Sequence, residues 1–196
     1  MGLRNFLASL GKSHGLAYPL NTVLIEKSVA GTYSVELKDG FYEIYCIGGG
    51  GGGSNGPGGT GAGVLLRVKL KKGIYQCVVG IAGAGAGAYV RNNNGKPGGA
   101  STLVGEGISI TANGGAGRNG RRNGGGGGTT GVLSYNITAQ YKIIKRTTDN
   151  IQNALSFLTG DSSSSGAGGI AQPNDTGAGY AGKPGYIKIS YIGFSL

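Results

Sequence analysis

Six consecutive glycines, Gly48–Gly53, follow directly on the apolar run Phe41–Ile47, and five more stand at Gly124–Gly128. A glycine fixed in place loses more backbone freedom than any other residue and has no side chain to bury in return. Such runs order only where neighbouring extended segments pack backbone against backbone and saturate one another's amides. Left-handed and polyproline-II conformations are both open to them, because no Cβ stands in the way. With 45 glycines in 196 residues, the competing reading is a low-complexity chain without a core. Distribution decides between the two. The glycine-rich stretches 48–63, 80–100, 113–131 and 160–185 alternate with apolar runs of strand length.

Those runs have period two. Thr22–Lys27, Tyr33–Leu37, Phe41–Ile47, Val64–Leu70 and Ile74–Val79 read as strands, followed by Ser101–Val104, Ile108–Asn113 and the closing Tyr186–Ile192. Lys38-Asp39-Gly40 and Lys71-Lys72-Gly73 are turn signals. The expected fold is all-β, an antiparallel β-sandwich carrying long polyglycine-II-like arms. The tetrapeptide Gly-Lys-Pro-Gly occurs twice, at 95–98 and 182–185. It reads as a fixed turn between an arm and the next strand, or as a trace of an internal repeat.

Two segments stand apart. In residues 1–20, Leu3, Phe6, Leu7 and Leu10 recur at helical spacing, with Gly11 as a stop. Ten residues make no stable isolated helix, so this apolar face needs a partner, and the segment reads as a docking piece ahead of a 21–196 domain. Val132–Thr159 holds no glycine. Its first half is strand-like at Leu133, Tyr135, Ile137, Tyr141 and Ile143. Its second half offers Asp149 as an N-cap, with Ile151, Leu155 and Leu158 on one helical face near 150–159. A hairpin or strand plus one short helix, inserted at 132–159, is the simplest reading.

Several classes drop out. Collagen needs glycine at every third position, and the glycines here have no fixed period. No apolar run reaches the 18 residues of a membrane span, and the first residues lack a signal-peptide pattern. Position 6 is Phe6, which excludes N-myristoylation. Gly56-Pro57-Gly58-Gly59-Thr60-Gly61 matches a dinucleotide fingerprint as a string, but a strand follows it where the chemistry needs a helix N-terminus. Gly11-Lys12-Ser13 lacks the first glycine of a phosphate loop. His14 is the only histidine, and no His/Cys cluster has ligand spacing, so no cofactor, metal or catalytic set is expected. Cys46 and Cys77 each lie inside a strand-like run and read as small buried hydrophobes, with a Cys46–Cys77 bridge as the alternative.

The net charge is +10, and residues 44–148 hold twelve basic groups against Glu106 alone. Three readings stay open for that excess: solvated loop charges, attraction to an anionic partner, and nucleic-acid binding. Nucleic acid is the least favoured, because Arg-Gly-Gly repeats and the aromatic RNA-binding signature are both absent. Eleven tyrosines, several near loops, add a composition used in recognition surfaces.

The order of these pieces carries a resemblance. Phe41–Ile47 runs into Gly48–Gly53, then Gly61-Ala62-Gly63 leads into Val64–Leu70. Next come Gly73-Ile74-Tyr75, Val78-Val79-Gly80, Gly98-Gly99-Ala100-Ser101-Thr102 and Ile110-Thr111-Ala112-Asn113-Gly114-Gly115. Gly177-Ala178-Gly179-Tyr180 and a terminal strand close the series. Over residues 31–193 this is similar to the glycine-rich domain of bacteriophage tail-fibre and adhesin proteins. The resemblance implies a non-enzymatic virion protein, assembled in a bacterial host. It would dock on other virion proteins through residues 1–20 and meet a bacterial surface receptor, polysaccharide or protein, through loops joining the arms. By position those tips are Arg91, Asn92, Asn93 and Asn94; Arg118, Asn119, Arg121, Arg122 and Asn123; Ser162–Ser165; and Gln172–Thr176 with Gln172 and Asn174. A homo-oligomer such as a trimer is common among fibres, although no heptad supports one here. The same domain could equally build a capsid-decorating or head-fibre protein. A basic nucleic-acid-binding protein is the alternative from a different class.

Overall fold

A computed structural model describes residues 17–54, 56–87, 94–118, 129–147 and 179–193, together with positions 154, 158, 166, 167 and 169. Ten strands form two five-stranded sheets. The first has the order β1 (Val23–Lys27), β10 (Tyr186–Gly193), β3 (Gly40–Ile47), β4 (Gly63–Leu70), β9 (Tyr141–Arg146). The second has the order β2 (Gly31–Leu37), β5 (Gly73–Val79), β6 (Ser101–Gly105), β7 (Ile108–Ala112), β8 (Leu133–Ile137). Every pairing is antiparallel, and the chain is the all-β sandwich its period-two runs imply.

Alternation sorts the side chains. Tyr42, Ile44 and Cys46 of β3 point inward with Val64, Leu66 and Val68 of β4 and meet Tyr75, Cys77, Leu103 and Ile110 of the other sheet. Each fully buried aliphatic side chain there is worth about 1.5–3 kcal/mol. Both cysteines are free and buried in this layer. Three turns are pinned by the same device, a tyrosine hydroxyl donating to the carbonyl four residues back. Tyr33 donates to Val29 at 2.8 Å, Tyr42 to Lys38 at 2.6 Å and Tyr75 to Lys71 at 2.9 Å. Ala17 and Tyr18 close the end of the sandwich that holds the Lys38 and Lys71 turns, Tyr18 stacking edge-on against Tyr191 at 5.5 Å. Leu3, Phe6, Leu7 and Leu10 lie outside the described residues.

The 132–159 segment departs from the hairpin reading. β8 and β9 follow each other closely in sequence but belong to different sheets, so the chain crosses from one layer to the other at Thr138–Gln140. Of the helix expected near 150–159, Ala154 and Leu158 are helical and pack with Ile47, Leu65 and Tyr186 on the outer face of the first sheet.

The glycine arms are ordered into a lattice. Gly48–Gly53 lies at its centre, and successive amides point to three different neighbours in turn. Gly48 and Gly51 donate to Ala62 and Gly59; Gly49 and Gly52 donate to Gly99 and Lys96; Gly50 and Gly53 donate to Lys183 and Tyr180. Its carbonyls accept from the other three sides, from Gly115 and Arg118, from Gly83 and Ala86, and from Gly169. This threefold rotation with no internal bond is the polyproline-II helix. The six surrounding segments bond to one another around the ring, in the order 56–62, 113–118, 94–100, 80–87, 179–185, 166–169 and back to 56–62. Neighbours in the ring run in opposite directions, because each arm is an up-and-down excursion from the sheets. Residues 129–131 add a further segment outside the ring.

Space, not backbone dihedral, selects glycine at the centre. Among the described residues, positive φ at glycine occurs at 31, 107, 166 and 193, none of them in Gly48–Gly53. A Cβ on Gly49, Gly51 or Gly52 would instead overlap the backbone carbonyl of Ile81, Ala116 or Ala84. Ring segments show the same period in their burial, with Ile81, Ala84 and Gly87 exposed and Gly83 and Ala86 buried. The Gly-Lys-Pro-Gly motifs are therefore not turns. Lys96 and Lys183 give both amide and carbonyl to lattice bonds in mid-segment. Pro97 and Pro184 take the one position in three whose missing N–H would point to solvent, as Pro57 does in its own segment.

Candidate functional site

The lattice has two unlike ends. Gly48 adjoins the sheets, and Gly53 lies at the far end, level with Ala86, Arg118 and Tyr180. The chain leaves the described lattice at Gly87, Arg118 and Gly169, and re-enters it at Asn94, Thr129 and Gly179. All six positions lie toward that far end by their lattice register. The three connections between these pairs of positions thus start and finish away from the sandwich, on segments locked to one another by backbone bonds of 2.7–3.1 Å. Ser54 turns the central segment directly back on itself, its amide donating to Gly56 at 3.0 Å.

Two of the candidate contact residues can be placed. Asn94 is exposed at the re-entry point. Arg118 is 5% exposed; its amide donates to Gly52 at 3.0 Å and its carbonyl accepts from Gly95 at 2.9 Å. Its guanidinium lies over Gly56, where a Cβ would come within 2.8 Å of Nε and Cζ, and Nε has no hydrogen-bond partner among the described residues. Arg118 is thus part of the lattice floor, three residues on from the inward-facing Gly115. Arg91, Asn92, Asn93, Asn119, Arg121, Arg122, Asn123, Gln172 and Asn174 lie outside the described residues, as does Ser162–Ser165. Gly166, next in the chain after Ser162–Ser165, bonds to Pro184 and Gly61 beside the sandwich, at the other end of the lattice. Sequence reasoning passed over Tyr180 as a contact. It is 55% exposed at the far end, and its carbonyl holds Gly53.

The opposite end of the sandwich carries an open cleft of about 410 Å³ between the turns, lined by residues that include Asp39, Glu106 and Gln140. Its acids are engaged. Asp39 accepts the Lys72 amide at 3.0 Å, and Glu106 pairs with Lys71 at 3.1 Å. No group of three His, Cys, Asp or Glu suited to a metal occurs among the described residues. The groups with displaced pKa values sit in the core. Burial, then the nearby Cys77, pushes the Cys46 thiol up to about 12, and burial pushes Cys77 up to about 11. Tyr42 is raised by burial and then by Tyr18, and Tyr75 by burial and then by Glu106. None of these shifts brings a group toward neutrality, where acid–base catalysis would need it. No helix among the described residues is long and apolar enough to cross a membrane.

A comparison with curated proteins returns no match. The model of one family, described as a glycine-rich domain, matches residues 27–193, which takes in β2 to β10 and the whole lattice. On that match the chain belongs to the glycine-rich domain family.

Proposed function

We propose that the protein is a non-enzymatic bacteriophage virion component, a fibre or receptor-binding protein that docks by residues 1–20 and displays loops to the host surface. One observation carries this reading: three long connections are anchored together at the far end of a lattice built from backbone bonds. Loops held on a rigid scaffold are the usual site of recognition, because the scaffold fixes their ends while their sequence is free to vary. The composition between those anchors suits contact with a polar surface, with Arg91, Arg121 and Arg122 set among asparagines and glycines. The resemblance to phage tail-fibre and adhesin domains supplies the setting.

Replacing Arg121, Arg122 and Asn123 with Gly-Ser-Gly in the phage tests the display half. Particles are expected to assemble normally and adsorb to host cells at least tenfold more slowly. Unchanged adsorption overturns these loops as the contact. Deleting residues 1–11 tests the docking half: the truncated protein is expected to fold but not to enter particles, and normal incorporation overturns that role.

A further inference from the structure

The two outer faces of the sandwich are charged very differently. Glu36 is the one charged residue in the five strands of the second sheet. Register lines up Thr32, Val78, Thr102, Thr111 and Ser134 across that sheet, an uncharged row. The strands of the first sheet hold seven basic residues and two acids, Glu26 and Glu43. Register places Arg67 opposite Lys142 and Leu65 opposite Lys145, with Lys69 two residues along β4 from Arg67. Both acids are already engaged on this face. Glu43 takes Arg67 at 3.0 Å and Glu26 takes Lys188 at 3.7 Å.

Charge that served only solubility would be spread over both exposed faces. Lysines that only guarded a sheet edge would be confined to edge strands. Neither describes this protein: β8, the corresponding edge of the second sheet, has no lysine, and Arg67 and Lys69 lie on β4, one strand in from the edge. We infer that the β4–β9 side of the first sheet is a docking surface for a phosphodiester-linked polyol chain, the chemistry of an anionic cell-surface polymer. Cations two residues apart on a strand stand about 6.8 Å from each other, and those on neighbouring strands about 5 Å. This ladder can follow a chain that carries one charge per repeat. Lysine ammonium groups meet such phosphates as point charges, with no need of a bidentate fork. A nucleic acid is the poorer fit, because single strands are held by stacking on exposed rings. Here Phe41 is 7% exposed beneath Lys69, Tyr45 is partly buried in the cluster around Leu158, and Tyr141 of β9, 39% exposed, stands opposite inward-facing Val68, on the other side of its strand from Lys142, edge-on to Tyr135 at 6.2 Å.

The surface is separate from the far-end loops and does not rest on their role. Purified protein titrated with fluorescent poly(glycerol phosphate), and with oligo(dT) of equal charge, tests it. Three contacts, Lys69, Lys142 and Lys145, at roughly 0.7 counterions each predict that affinity falls about 20-fold between 50 and 200 mM salt. Lys142→Gln with Lys145→Gln should weaken binding at least tenfold at 50 mM salt and cut that salt dependence to about threefold. Lys96→Gln with Lys183→Gln, on the lattice, should bind like wild type. The inference is overturned by no binding at 50 mM salt, by equal affinity of the β9 variant, or by tighter binding of oligo(dT).

Discussion

The Ser101 hydroxyl donates to the carbonyl of Ile47 at 2.6 Å, where β3 ends and the central glycine helix begins. The same oxygen accepts the amide of Gly80 at 2.9 Å, at the start of the next arm. One buried side chain thus fastens both arms to the sandwich at the point where period two gives way to period three. Ser101→Ala removes the acceptor of a buried N–H, which costs about 1–3 kcal/mol. Urea unfolding should show that loss as a lower midpoint with an unchanged slope. A change below about 0.5 kcal/mol, the ordinary range for an exposed site, contradicts the fastening role.

Gly52 tests the lattice itself. A methyl group there would overlap the Ala84 carbonyl, and the neighbouring segment cannot retreat without breaking its own ring bonds. Gly52→Ala is expected to cost about 3 kcal/mol or more, at the severe end of overpacking. Ala84→Ser, on the exposed face of a ring segment, should stay within about 0.5 kcal/mol. In thermal melts of a chain this size the first change lowers Tm by at least about 6 °C. Equal Tm values for the two variants would refute close packing of the central helix.

The strands were legible because a side chain reports its face, and alternation along Phe41–Ile47 or Val64–Leu70 survives in the letters. The lattice has a period too, but a glycine shows the same letter whichever way it faces. Only the non-glycine residues reveal it. Ile81 and Ala84 mark the outward position, Pro57, Pro97 and Pro184 mark the solvent-directed amide, and Gly-Lys-Pro-Gly looks like a turn until the register is known. Arg118 looks like a loop residue for the same reason: its inward position follows from three-residue spacing after Gly115, not from its chemistry. β8 and β9 were unreadable in another way. Two strand signals separated by three residues look alike whether the chain pairs with itself or crosses to the facing sheet. The far end is legible chiefly as composition, since Asn94 and Arg118 are its only candidate contacts among the described residues.

Alkaline pH should loosen the fold. Cys46 and Cys77 hold their protons to about pH 12 and 11 in the native state, against 9.0 for an unperturbed thiol. Above pH 9 the unfolded chain therefore releases protons that the native chain keeps, so stability is full below that pH and falls as pH rises toward 11. Each thiol contributes a slope of at most about 1.4 kcal/mol per pH unit. Tyr42 and Tyr75, also raised by burial, act in the same direction. Urea midpoints measured between pH 8 and 10.5 should fall steadily, and less steeply in Cys46→Ala with Cys77→Ala. A flat profile, or native thiols that react with a disulfide reagent at pH 8, rules out their burial as described.

Proline placement gives the most direct reading of amide direction. In segment 179–185 the amides of Gly179, Gly182 and Gly185 donate to residues 86, 83 and 80, and that of Lys183 donates to Ala167 at 2.8 Å. The remaining direction belongs to positions 181 and 184, and 184 is already proline. Ala181 is exposed, so Ala181→Pro removes no lattice bond and restricts the unfolded chain. It should leave stability unchanged or raise it by about 0.4–1 kcal/mol. Lys183→Pro is equally exposed but deletes the bond to Ala167, and leaves that half-buried carbonyl unmatched at a cost of about 1 kcal/mol or more. The pair separates a threefold lattice from a merely extended arm, in which both prolines would be tolerated alike. Equal denaturation midpoints for the two variants would remove the threefold amide pattern, and with it the rigid mount proposed for the far-end loops.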